Sequence, residues 1–184
     1  MRDASTKEQP LDPVGRLVRE ALTQYESALI AYACGILGDE ARARDVVQDT
    51  FLKLYLADPD RVRENLKAWL YAVCRNRAFD VLRKENRMVY SDDGQPMDWI
   101  DSLQSEPEEG NDDEEVLKHI WDVMGQLPQN QNEVIRLKFQ HGLSYKEIAG
   151  TTGLSVTNVG FLLHTAIKTL RKLLKPGAAV RPKK

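Results

Sequence analysis

The chain has 184 residues, 42% of them hydrophobic, which suffices for one medium core or two small ones. No apolar run approaches the roughly 18 residues that a membrane span needs, and the opening MRDASTKEQP is polar without a signal-peptide pattern, so no membrane insertion and a cytoplasmic location are expected. The net charge of −2 hides an asymmetry: residues 88–115 hold eleven Asp or Glu and no Lys or Arg, which leaves +9 on the remainder, so the near-neutral total does not argue against a nucleic-acid partner.

In chain order, the signals are helical. Asp12-Pro13 reads as an N-cap followed by proline at the first helical position. Leu17, Leu22, Tyr25, Leu29, Tyr32, Ala33 and Ile36 then hold one face until Gly38. Asp39 caps a second helix carrying Val46, Val47, Phe51, Leu54 and Tyr55, which Asp58-Pro59 ends. Leu66, Trp69, Leu70, Val73, Cys74, Phe79 and Leu82 mark a third, closing in the basic run Arg83-Lys84-Glu85-Asn86-Arg87. Residues 88–113 lose the period; Asp, Gly, Pro and Ser dominate there, as in a flexible linker. Beyond it come an apolar stretch from Val116 to Met124, a break at Leu127-Pro128, and a helix over Glu133 to Phe139.

Gly142 to Lys175 reads as a helix-turn-helix. Ser144 and Glu147 fit a capping box at the start of a short helix. Ala149 is small enough for two helices to cross closely, and Gly153 sits where a tight turn needs a positive φ. Ser155 caps a longer second helix with Val159 and Leu162 on one face. A short helix, a glycine turn and a longer helix is the layout that places the second helix in the major groove of DNA. The plain alternative is an ordinary helical hairpin; the basic run Lys168, Arg171, Lys172 and Lys175 favours DNA. The expected architecture is therefore all-α: two small helical domains, 12–87 and 114–175, joined by an acidic linker, with a disordered N-terminus (1–11) and a disordered basic tail (176–184).

Two features of the first domain carry chemistry. Asp45, Gln48, Asp49 and Lys53 share one face of the second helix, opposite Val46, Val47, Thr50, Phe51 and Leu54. That face is either plainly solvated or a docking surface for a basic partner. In AWLYAVCRNRAFDVLRK, Trp69, Tyr71 and Phe79 are interleaved with Arg75, Arg77, Arg83 and Lys84, a pattern that suits stacking on bases while cations follow phosphates. Trp69 and Phe79 also suit a core. Asn76 gains little from packing, whereas its amide can pair with a base edge. No catalytic constellation, phosphate loop or metal-ligand spacing is present, so neither an enzyme nor a cofactor is expected, and Cys34 and Cys74 read as buried free thiols.

DVVQDTFLKLY (45–55), AWLYAVCRNRAFDVLRK (68–84) and LPQNQNEVIRLKFQHGLSYKEIAGTTGLSVTNV (127–159) together resemble an extracytoplasmic-function sigma factor, over nearly the whole folded chain and in order. The resemblance implies a dissociable subunit of bacterial RNA polymerase. Its first domain would dock on a coiled coil of the largest polymerase subunit through Asp45, Gln48, Asp49 and Lys53. It would melt the minus-ten element with Trp69 at the melting position and Asn76 beside a pocket for a flipped base, while Arg75, Arg77, Arg83 and Lys84 hold phosphates. The second domain would read the minus-thirty-five element and touch the polymerase flap. The linker is similar to one that threads the RNA exit path. An anti-sigma factor is a further partner class that the resemblance brings in.

One departure stands out. Gly160, Leu162 and Thr165 occupy positions where the family usually carries arginine or lysine, which leaves Ser155, Thr157, Asn158, Phe161, His164 and Lys168 to contact DNA. Each missing phosphate cation lowers affinity and salt dependence. Two other readings therefore stay open: a sigma-like protein that sequesters an anti-sigma factor without binding promoters, and a conventional helix-turn-helix regulator with a ligand pocket and a dimer.

Overall fold

The computed structural model describes residues 13–89 and 123–174. All regular structure among them is helical. Helix α1 (Pro13–Leu37) begins with the proline at its first position and stops at Gly38, whose φ of 67° no β-carbon opposes. The Gly38 N–H donates to the Cys34 carbonyl at 2.8 Å. Helix α2 (Glu40–Leu56) starts under the Asp39 carboxylate, which accepts the Arg42 N–H at 2.8 Å. Asp58-Pro59 ends that helix and also starts the short α3 (Pro59–Val62), because Asp58 accepts the Asp60 N–H and proline suits the first turn. A 3₁₀ turn, Arg63–Asn65, leads into α4 (Leu66–Val89), which runs two residues past the expected boundary at 87.

In the second half α5 (Gln129–Ile135) starts four residues ahead of the expected Glu133, because the Pro128 carbonyl accepts the N–H groups of Gln131 and Asn132. It continues as a π-helical turn over Arg136–Gln140 and then gives way to α6 (Tyr145–Thr152) and α7 (Val156–Leu173). The capping box is complete: Glu147 accepts the Ser144 N–H at 2.7 Å, and Ser144 Oγ accepts the Glu147 N–H at 3.2 Å. Those bonds from Ser144 hold the Glu147 carboxyl below its ordinary range. Gly153 turns the chain with φ 76°, and Ser155 caps α7 by accepting the Asn158 N–H. Asp12, the linker over 90–113, most of the 116–124 stretch, Lys175 and both terminal segments lie outside the described residues.

The first half packs α1 on α2 and α4, with Leu29, Val46, Val47, Leu54, Leu70 and Cys74 buried between them. The second packs α7 on α5 and α6 around Val134, Leu137, Leu143, Ile148, Val159 and Leu163. Burial of each such aliphatic side chain contributes about 1.5–3 kcal/mol. The two halves also meet. Helix α4 packs along α6, and one apolar cluster runs through both.

Candidate nucleic-acid interface

Three α4 residues recur every seven positions: Trp69, Asn76 and Arg83. That spacing is nearly two helical turns and aligns them in one stripe. Trp69 is half-buried and packs on the core, while Asn76, Arg83 and Lys84 are exposed. Arg83 makes a solvent-facing ion pair with Asp80 at 2.9 Å, a contact of little energetic weight. The stripe thus presents an aromatic edge, an amide and cations along one line.

Arg75 and Arg77 leave that stripe on opposite sides. Arg77 reaches back to α2, where its Nε donates to Asp49 Oδ2 at 2.7 Å. Arg75 reaches the second half. Its Nε and Nη2 donate to the two oxygens of Glu133 at 2.6 and 3.0 Å, and its guanidinium lies 4.6 Å from the Phe79 ring centre. Burial opposes the charge on Arg75, yet the Glu133 carboxylate more than offsets this, so its pKa is raised. Of the six α4 residues that the sequence groups together, the fold therefore aligns Trp69, Asn76 and Arg83, leaves Lys84 exposed beside them, and ties Arg75 and Arg77 to carboxylates of other helices.

On α2, Asp45, Gln48 and Lys53 are exposed, and Asp49 is half-buried against Arg77. Tyr55 is 52% exposed, beside Leu52 at 57% and Leu56 at 75%. These three sit one turn and two turns beyond Gln48, so the acidic face continues into an apolar one. Sequence reasoning missed it. The available signal was that residues 52, 55 and 56 fall off the 46, 47, 50, 51, 54 stripe, so apolar side chains there have no core to enter.

On α7, Val159, Leu163 and Ala166 are buried, and the opposite face carries Thr157, Asn158, Phe161, His164 and Lys168. Phe161 is 66% exposed in the middle of it. Ser155 is spent on the cap. A β-carbon on Gly160 would lie 3.6 Å from the Tyr145 ring, an ordinary contact, so the ring of α6 lies close to α7 at this position without requiring glycine there.

Between the halves, Glu133 also accepts the Tyr32 hydroxyl at 2.9 Å. Lys67 Nζ donates to the Gly142 carbonyl at 3.3 Å, and Thr151 Oγ1 to the Ala68 carbonyl at 3.5 Å. His141 is buried against the rings of Tyr32 and Tyr71, with centroids 5.5 and 5.1 Å away. Burial, then the Arg136 and Lys67 charges, push its pKa down to about 4. Burial raises the Cys74 thiol to about 12 and also raises Cys34, so neither is poised as a thiolate. Among the described residues no cluster of His, Cys, Asp or Glu could hold a metal ion, and no helix is long and apolar enough to cross a membrane.

Two family models match this frame: Sigma-70 region 2 over residues 21–88, and Sigma-70, region 4 over residues 117–170. The chain is 32% identical to the ECF RNA polymerase sigma factor SigL of Mycobacterium tuberculosis, over 86% of its own length and 89% of that protein. The chain belongs to the ECF RNA polymerase sigma factors. It is also 30% identical to EcfG of Rhodopseudomonas palustris, over 88% of this chain and 87% of that one. With SigM of Bacillus subtilis the identity is 27%, over 87% and 96% respectively. The fold is similar to two solved structures. One is CnrH in complex with the cytosolic domain of CnrY, with a TM-score of 0.59 and 26% identity over 86% of this chain and 88% of that one. The other is RpoE of Bartonella quintana in complex with the anti-sigma factor NepR, with a TM-score of 0.59 and 24% identity over 88% and 99%. As an ECF sigma factor the protein binds core RNA polymerase and directs promoter-specific transcription initiation. The first half carries region 2 and the second half region 4, and sigma factors are not themselves catalysts.

Proposed function

We propose that this ECF sigma factor opens promoters with the α4 stripe, docks on polymerase through the exposed face of α2, and contacts the minus-thirty-five region with α7. The observation that carries the reading is the single line of Trp69, Asn76 and Arg83, with Lys84 exposed beside it. Trp69, held by the core along one side, takes the place of a base where the duplex parts. Asn76, free of any structural duty in α4, reads the edge of an extruded base, whose unstacking costs a few kcal/mol and is repaid by the pocket. Arg83 and Lys84 follow the phosphates, and Arg75 and Arg77 join them when their carboxylate partners release them.

Docking combines the exposed polar groups Asp45, Gln48 and Lys53 with Leu52, Tyr55 and Leu56, on the coiled coil of the largest polymerase subunit. Asp49 acts through Arg77, as a brace between α2 and α4. The apolar residues supply the buried centre and the charged ones the orientation. On α7, Thr157, Asn158 and His164 reach base edges or phosphates, Lys168 a phosphate, and Phe161 a thymine methyl. Region 4 also touches the polymerase flap, and the protein works in the cytoplasm, where polymerase and promoter are.

Transcription reconstituted with core polymerase tests the reading. Asn76→Ala is expected to change the minus-ten sequence preference of the holoenzyme while leaving polymerase affinity within about twofold. Equal loss of both would count against the role given to Asn76. Core polymerase pull-down tests the docking face. Strong binding that Asp45→Arg abolishes supports it, and Asp45→Arg is a cleaner probe than Asp49→Arg, which also breaks the ion pair with Arg77.

A further inference from the structure

Reading both promoter elements at once is impossible in the arrangement described above. The minus-ten and minus-thirty-five elements are about 25 base pairs apart, roughly 85 Å of duplex at about 3.4 Å per pair. Here α4 lies against α6, and Arg75 and Glu133 are 2.6 Å apart. The two halves must therefore part before both elements are engaged. Residues 90–122 join them, a contour of about 110 Å at about 3.3–3.6 Å per residue, so the covalent connection permits that separation.

The contact that must break is built around one carboxylate. Glu133 is 11% exposed and accepts three hydrogen bonds from the first half: two from Arg75 and one from the Tyr32 hydroxyl. The same contact between the halves includes the Tyr32, Tyr71 and His141 rings in edge and tilted contact with one another, and the Lys67 and Thr151 bonds to backbone carbonyls. Gly35 completes the fit, since a β-carbon there would collide with the Arg136 guanidinium. Bidentate geometry with a third donor is what makes a partly buried carboxylate tolerable, and removing the carboxylate leaves Arg75 unmatched. In the open chain Arg75 regains water or finds a phosphate.

We propose that Glu133, with Tyr32 as second donor, is a latch that holds the two domains of the free sigma factor together and withdraws Arg75 from nucleic acid until polymerase separates them. Arg75 is thus shared: it pairs with Glu133 in the closed chain or with a backbone phosphate in the open one. The opening step and the phosphate partner rest on the proposed reading of the minus-ten element by α4 and the minus-thirty-five region by α7; the latch itself rests on the contact geometry.

The test uses the full chain, alone and as holoenzyme, with Glu133→Gln and Tyr32→Phe. Small-angle scattering of the free proteins reads the latch. Both variants are expected to increase the radius of gyration, Glu133→Gln more than Tyr32→Phe. The free Glu133→Gln protein should bind a single-stranded minus-ten oligonucleotide at least about tenfold more tightly than wild type. Holoenzymes, already open, should initiate within about twofold of wild type. If both variants stay as compact as wild type while circular dichroism shows them folded, the latch is refuted. Should Glu133→Gln not fold, Tyr32→Phe, which removes one hydroxyl, decides alone. Arg75→Ala holoenzyme separates this from the underlying reading. Unchanged oligonucleotide binding there overturns the nucleic-acid role of Arg75, and the scattering result then still decides whether Glu133 closes the chain.

Discussion

His141 gives the protein a pH-dependent stability whose sign and size follow from its surroundings. The ring is 8% exposed, faces Tyr32 of α1 and Tyr71 of α4, and has the Arg136 and Lys67 cations close enough to oppose a further positive charge. Its Nε2 is buried without a hydrogen-bond partner, so a proton added there would have nothing to meet. The pKa is therefore about 4 in the folded chain, against 6.5 for free histidine. Between those values the unfolded chain binds a proton that the folded chain does not. Folding stability is thus full above pH 6.5 and declines as pH falls towards 4.

Linkage between those two pKa values gives a loss of about 2 kcal/mol on going from pH 7.5 to pH 5, and water at the ring edge lowers this towards about 1 kcal/mol. The assay is urea unfolding at both pH values, followed by circular dichroism, for wild type and His141→Gln. The variant is less stable at pH 7.5, because it loses ring contacts, but it lacks the histidine part of the pH dependence. The decisive quantity is the difference between the two pH responses, which cancels the carboxylates common to both proteins. A difference below about 0.3 kcal/mol would refute the burial argument. Since the burying rings belong to the first half, the same proton also favours separation of the domains, and acid should expand the folded wild-type chain more than the variant.

Three further outcomes follow from single contacts. Leu52→Asp places a charge on an exposed apolar face, so core polymerase affinity measured by fluorescence anisotropy should fall at least about tenfold while unfolding stability changes by less than about 0.5 kcal/mol. Gly153→Val, at φ 76°, should cost about 1–2 kcal/mol in thermal unfolding, whereas Gly150→Ala, with open space around it, should stabilise by up to about 1 kcal/mol. Phe161→Ala should weaken binding of the holoenzyme to promoters with a thymine-containing minus-thirty-five region and leave initiation on an extended minus-ten template unchanged; equal effects on both would remove Phe161 from DNA reading.

Local signals were legible because their physics is local. Asp39, Ser144 with Glu147, Gly153 and Ser155 each act on backbone groups within four residues, and each does what the sequence implies. The start of α5 was misread by four residues because no capping side chain marks it; the Pro128 carbonyl does the work, and a carbonyl is present at every position. The exposed apolar face of α2 went unread for a different reason. Leu52, Tyr55 and Leu56 fall off the stripe of 46, 47, 50, 51 and 54, yet single apolar residues are common on surfaces, and only the packing of α1 and α4 on the other side of α2 leaves these three gathered on one uncovered face.

The basic cluster of α4 shows where sequence reading reaches its limit. Arg75, Arg77 and Arg83 look equivalent in a string, and all three suit phosphate. Their partners are 28 and 58 residues away for Arg77 and Arg75, and three residues away for Arg83. A local partner leaves the side chain in solvent, where the pair has little weight and yields readily to a phosphate. The distant partners do something else. Asp49 draws Arg77 against α2 and ties α2 to α4. Glu133 draws Arg75 into the other domain, where leaving costs a partly buried ion pair. Charge at these positions is therefore conditional on domain arrangement, and a tally of cations on α4 overstates what the closed chain can offer to DNA.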